Sequence, residues 1–135
     1  MIYLLDTNAV SDLMREHVTV RQRLSALGGE DRVIICSVVL GELRYGIGRL
    51  ATGRRRDELT AKATALLAVL PCEPVGPESA NLYAEIKLVQ QAKGLSLDEN
   101  DLWIAAVAKT IGATLVTRDS DFQRIADLRV QDWTL

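Results

Sequence analysis

Carboxylates stand in four places of this chain where buried backbone is expected. Asp6 follows Ile2-Tyr3-Leu4-Leu5, and Glu42 sits in Leu40-Gly41-Glu42-Leu43-Arg44-Tyr45-Gly46. Asp101 opens the apolar stretch Leu102-Trp103-Ile104-Ala105-Ala106-Val107-Ala108, and Asp119 and Asp121 follow Thr114-Leu115-Val116-Thr117. A carboxylate is costly beside buried apolar groups unless something compensates it. Each acid alone has a structural use. Asp6 suits a helix cap, and Glu42 suits a solvated helix face paired with Arg44 or Arg49. Asp101 suits the positive end of a helix dipole, and Asp119 and Asp121 suit a turn. Brought together, the acids repel, and a divalent cation removes that penalty. A donor set of oxygen alone points to Mg2+ or Mn2+. Such a centre polarises a phosphoryl oxygen and lowers the pKa of a bound water. Thr7, Asn8 and Thr117 can add neutral hydrogen bonds around it.

The elements that must position these acids follow from apolar runs and turn chemistry. Residues 2–5 read as a short buried strand, with a helix capped by Thr7 or Asn8 running to about Arg15. A helix is expected over 18–27, with Val18, Leu24 and Leu27 near one face, stopped by Gly28-Gly29. Arg32–Cys36 is a second strand with Ser37 as N-cap of the next helix, 38–51, where Val39, Leu43, Ile47 and Leu50 recur at helical spacing. Gly53 marks a turn before a helix over 54–69. Pro71 and Pro74 punctuate an extended link. Pro77 suits the first turn of a helix over 78–92, ended by Gly94. Residues 101–111 are apolar nearly all round and read as a buried central helix, with Asp98 available as its cap and Gly112 as its stop. A third strand at 113–117, a short helix near 120–125 and a last strand near 128–131 complete the chain. Strands alternating with helices predict an α/β fold with a parallel sheet. Active sites in open parallel sheets gather at the carboxyl ends of the strands, where Asp6, Asp119 and Asp121 fall. Glu42 can reach that edge from the second turn of its helix.

Composition narrows the class. A chain of 135 residues, 48% apolar and 25% charged, suits one compact domain over 1–135. The net charge of −2 argues against holding nucleic acid by bulk charge, though a local basic rim is compatible with it. Arg49, Arg54, Arg55 and Arg56 are candidates for that rim, equally readable as a solvated helix junction, and Arg118 stands next to Asp119. Arg118 is expected either to pair with a catalytic acid or to touch the scissile phosphate. No apolar run approaches a membrane span, and the N-terminus lacks the basic opening of a signal peptide, so a cytoplasmic protein with no membrane partner is expected. Cys36 and Cys72 have no CxxC spacing and His17 is the only histidine, which argues against zinc. Two buried thiols are expected rather than a disulfide. There is no Ser-His-Asp set, nucleophile elbow or Gly-rich phosphate loop. Val38, Leu40, Tyr45, Leu66, Leu67 and Leu70 lie beyond a single core stripe, and any surplus among them would suit a partner groove or dimer face.

The four acidic segments, in this order and in a chain of this size, resemble PIN-domain proteins, and specifically VapC-type toxins of bacterial toxin–antitoxin pairs. The resemblance rests on Leu5-Asp6-Thr7-Asn8, Gly41 to Gly46, Asp101 to Ala108, and Gly112 to Phe122, and covers essentially the whole chain. It implies a parallel sheet flanked by helices on both faces and Mg2+- or Mn2+-dependent ribonuclease activity leaving a 5′-phosphate. It carries the family's catalytic and metal-binding acids onto Asp6, Glu42, Asp101 and Asp119, with Asp121 as an auxiliary. Many relatives have Asn where this chain has Asp119, which leaves open whether Asp119 or Asp121 is the main fourth acid. The resemblance further implies a homodimer and a small cognate antitoxin that occludes the site.

Three other functions compete. A phosphate-accepting receiver module needs a lysine near the last strand, and none follows Lys109. A haloacid-dehalogenase-type phosphotransferase needs a second Asp two residues after the first, where this chain has Asn8. A non-catalytic PIN-like module binding RNA or protein is the remaining alternative. The complete set of acids argues against it.

Overall fold

The computed structural model describes all of residues 1–135. Five strands, β1 (Ile2–Leu5), β2 (Arg32–Cys36), β3 (Cys72–Glu73), β4 (Thr114–Val116) and β5 (Val130–Gln131), form one parallel sheet in the order β3-β2-β1-β4-β5. β1 is central. Tyr3 aligns with Val33 of β2 on one side and Thr114 of β4 on the other. The last three residues of β1, the last three of β2 and all of β4 are buried. Continuous apolar runs of this kind belong to strands covered on both faces.

Six helices connect the strands: α1 (Thr7–Met14), α2 (Val18–Ser25), α3 (Ser37–Gly48), α4 (Arg54–Leu67), α5 (Pro77–Ala92) and α6 (Glu99–Thr110). A 3-10 turn spans Ser120–Arg124. The strand order runs one way from β1 to β3, then returns to β4 and β5. Right-handed crossovers therefore place α1–α4 on one face and α5–α6 on the other. The packing agrees: α1 meets α2, α3 and α4, while α5 and α6 pack on each other. α6 buries Leu102 and Ile104 through Ala108, as its all-round apolar sequence predicts. Leu4, Leu5, Ile35, Ile104, Leu115 and Phe122 are fully buried at the centre of the core. Each contributes roughly 1.5–3 kcal/mol of apolar burial.

Several expectations are corrected. Asp6, not Thr7 or Asn8, caps α1, because its carboxylate reaches the Ala9 amide. Val18 is exposed, and Val20 turns the core-facing side of α2 inward. Ser37 is the first residue of α3 rather than its cap, and its hydroxyl donates instead to the Glu73 carbonyl. The link between Pro71 and Pro74 contains the edge strand β3, where proline is tolerated because one side of the strand has no neighbour. Cys36 is buried but Cys72, on that edge, is exposed; both are free thiols. Of the apolar surplus, Leu70 is buried, Val38, Leu40, Leu66 and Leu67 pack partly against the core, and Tyr45 is 70% exposed. No helix is long and apolar enough to cross a membrane.

Candidate active site

The strand order reverses at β1, so a crevice opens between the carboxyl ends of β1 and β4. Asp6 leaves β1 into it. Its backbone N–H donates to the Val116 carbonyl at 3.1 Å, extending the ladder by one residue before α1 begins. Its carboxylate Oδ1 accepts the Ala9 N–H at 2.8 Å, which pins the side chain while Oδ2 stays free of the cap. Asp6 is only 3% exposed. Burial raises its pKa, opposed by hydrogen bonding from Thr117 and Ala9, raised further by Asp119 and lowered by Arg118.

Glu42 comes from the second turn of α3, the helix that leaves β2. Its Oε1 accepts the Thr7 hydroxyl at 2.7 Å, not an arginine, so the first turn of α1 holds the acid of α3. Asp101 lies in the first turn of α6, and Asp98 caps that helix through the Asn100 and Asp101 amides. Burial pushes the Asp101 carboxyl up to about 7, with Asp98, Asp119, Glu42 and Asp6 adding repulsion in that order. Repulsion from four other acids at one carboxyl accords with their sharing one corner of the fold.

The end of β4 supplies the last corner. Thr117 is buried, and its hydroxyl accepts the Asp119 N–H at 3.0 Å. The Asp119 carboxylate accepts the Asp121 N–H at 2.9 Å, which starts the 3-10 turn. Asp121 itself pairs with Arg124 at 3.3 Å. A cavity of about 360 Å³ collects Asp6, Glu42, Asp98, Asp101 and Asp119, with Thr7, Asn8 and Ile104. Asp121 is not among its walls. Asp98, read from sequence as a cap, is; its spacing of three before Asp101 was the available signal.

The basic candidates separate. Arg49 lines a neighbouring cleft with Glu42, Tyr45 and Asn100, its guanidinium 5.7 Å from the Tyr45 ring centre. Arg55 lines a groove shared with Thr7, Glu42 and Arg15. Arg54 pairs with Glu58 at the surface, and Arg56 lines neither cavity. Arg118 pairs with no acid of the cavity. Its partner is Asp12, a buried carboxylate of α1 that sequence reading passed over.

The donor chemistry suits a hard cation, since every group is oxygen and the crowding that raises Asp101 is what a positive charge relieves. As the side chains stand, no three of them are arranged to close on one ion. Glu42 is held by Thr7 and one oxygen of Asp6 by the helix cap, so coordination requires side-chain rotation around a cavity already formed.

The sequence matches the PIN domain over residues 3–128. It is 31% identical to Ribonuclease VapC2 of Rickettsia felis, over 98% of each chain. It is 33% identical to Ribonuclease VapC1 of Haemophilus influenzae, over 99% of each. Among solved structures, VapBC2 from Rickettsia felis, bound to a DNA fragment from its promoter, superposes with a TM-score of 0.89 at 30% identity, covering 98% of this chain and 99% of that one.

Proposed function

The chain belongs to the PIN-domain family, and from that premise we propose that residues 1–135 act as one ribonuclease domain, the toxin of a toxin–antitoxin pair, using a divalent cation at the acidic cavity. Its full-length relatives are named VapC ribonucleases, and its structural neighbours are VapBC complexes. The observation that carries the site assignment is the convergence of Asp6, Glu42, Asp101 and Asp119 around one cavity at the carboxyl ends of β1 and β4.

Asp6, Glu42, Asp101 and Asp119 would hold Mg2+ or Mn2+, with Asp98 adding negative potential at the wall. Bound there, the cation would polarise a phosphoryl oxygen and lower the pKa of a water. Hydrolysis joins the water oxygen to phosphorus and breaks the bond to O3′, leaving a 5′-phosphate and a 3′-hydroxyl. The chain's own groups supply orientation. Thr7 fixes Glu42, the Ala9 amide fixes Asp6, and the Asp121 amide fixes Asp119. One carboxylate of the set accepts the proton of the attacking water. Arg49 and Arg55, which line clefts beside Glu42, would meet RNA phosphates.

A cognate antitoxin is the expected partner, as in the neighbouring VapBC complexes. A homodimer belongs to the same proposal, supported by apolar side chains left exposed on α5, such as Leu88 at 66%. Cytoplasmic residence is proposed with it. The deciding experiment incubates metal-loaded protein with total RNA, maps the new ends, and compares Asp6→Asn. A folded Asp6→Asn protein cleaving at the wild-type rate would overturn the site.

A further inference from the structure

Asp12 is 4% exposed and lies outside the acidic cavity. It sits on α1 among Ala9, Val10 and Met14, all buried. Both its oxygens are engaged: Oδ1 accepts Nη2 of Arg15 at 2.7 Å, and Oδ2 accepts Nε of Arg118 at 3.2 Å. One carboxylate between two guanidiniums leaves a net positive charge at this corner. Burying a carboxylate is costly, and its two arginine partners are 64% and 43% exposed, so the pairs contribute little net stability. A latch between α1 and the end of β4 needs no carboxylate, so stability alone explains the arrangement poorly.

Arg118 shows what the pair achieves. It directly precedes Asp119, a wall of the acidic cavity, and its charge is felt at Asp6. Only its Nε is used; neither terminal nitrogen has a hydrogen-bond partner in the protein, and the side chain is 43% exposed. A guanidinium gripped at Nε leaves both terminal NH2 groups free in a planar fork, the geometry that takes two oxygens of a phosphate.

Resting on the ribonuclease reading, we propose that Asp12 is a positioning residue: its buried carboxylate holds Arg118 at the rim of the acidic cavity so that the free end of the guanidinium binds a backbone phosphate of the RNA. Arg118 offsets the repulsion that five neighbouring acids exert on an approaching strand. It also fixes where the strand lies relative to them.

The test is binding of a fluorescent single-stranded RNA across a salt series, read in an Asp6→Asn background so that turnover does not enter. Arg118→Ala is expected to weaken binding about 10-fold at low salt and to reduce the slope of log affinity against log salt by about 0.7, the loss of one phosphate contact. Arg118→Lys is the sharper variant. A lysine keeps the charge and can still meet Asp12, but its ammonium lacks the planar fork, so it is expected to keep the salt slope and to recover only part of the affinity lost in Arg118→Ala. Asp12→Asn is expected to lower the slope to the same extent as Arg118→Ala, with no further loss in Asp12→Asn/Arg118→Ala. Slopes unchanged from the parent in Arg118→Ala, or full parental affinity in Arg118→Lys, would overturn the proposal. So would an Asp12→Asn protein whose melting temperature falls while its slope does not. Cleavage by magnesium-loaded wild type is followed in parallel. Its absence, with these slope changes intact, would overturn the nuclease reading and leave the phosphate assignment standing.

Discussion

The Thr7 hydroxyl donates a 2.7 Å hydrogen bond to Oε1 of Glu42, joining residues 35 positions apart. The bond ties the first turn of α1 to the second turn of α3 and sets the direction in which Glu42 faces the cavity. Supporting hydrogen bonds to ligating carboxylates typically matter about 10- to 100-fold in metal affinity or activity. Thr7→Val, which keeps the shape and removes the hydroxyl, is expected to lower kcat/KM for RNA by about 10-fold in this range. Thr7→Ser is expected to stay near wild type. Steady-state cleavage at saturating Mg2+ checks both, and a Thr7→Val enzyme at the wild-type rate would remove Thr7 from the site.

Asp6 caps α1 and, in the proposed function, serves the cation; two substitutions separate these duties. Its Oδ1 caps α1, and asparagine caps a helix as well as aspartate does. Asp6→Asn is therefore expected to melt at or above the metal-free wild type, because it also removes a buried carboxylate whose burial is unfavourable. Asp6→Ala loses the cap, at a cost of about 1 kcal/mol. Both are expected to lose cleavage by at least about 100-fold if Asp6 serves the cation. Thermal melts and RNA cleavage on the same preparations distinguish the duties.

Asp119 and Asp121 are told apart by their surroundings. Asp119 borders the acidic cavity, whereas the Asp121 carboxylate is paired with Arg124 and contributes its backbone N–H to Asp119. Asp119→Asn is expected to cost about 10- to 1,000-fold in cleavage rate, in the range of single electrostatic groups at active sites. Asp121→Asn, which preserves the backbone donor, is expected to stay within about threefold, since it loses only an exposed ion pair. Equal losses in both would show that the two acids work as a pair.

Much of this architecture was written in local signals. Unbroken apolar runs marked β1, β2 and β4, and Gly94 and Gly112 stop their helices with φ of 72° and 65°. The acids at the ends of β1 and β4 followed from the general placement of ligands in parallel sheets. β3 escaped because two residues between prolines carry no periodicity; its pairing with β2 is what makes it a strand. Asp12 escaped for a different reason. An acid in a helix is read as solvated unless its partner is known, and Arg118 lies 106 positions away. The choice between Asp119 and Asp121 needed the 3-10 turn, which directs one carboxylate inward and leaves the other to Arg124.

At Asp101 the proposed cation and a proton would compete. Burial, with four neighbouring acids, disfavours the residue's charge and pushes its carboxyl from the ordinary 3.8 up to about 7. Between those two pH values the folded state binds more protons than the unfolded state. Stability of the metal-free protein therefore falls as pH rises through this window, by on the order of 1–2 kcal/mol for a partly solvated group. A melting temperature in EDTA that is higher at pH 5.5 than at pH 8 is expected, with the difference reduced in Asp101→Asn. A Mg2+ ion bound as proposed would have to displace the same proton, so its stabilising effect is expected to be large at pH 8 and to shrink towards pH 6. Calorimetry in buffers of different ionisation enthalpy should show protons released on binding at pH 7. The measurement that would sink this account is a metal-free melting temperature that rises steadily from pH 5.5 to 8, because that sign requires acids whose pKa is lowered by folding.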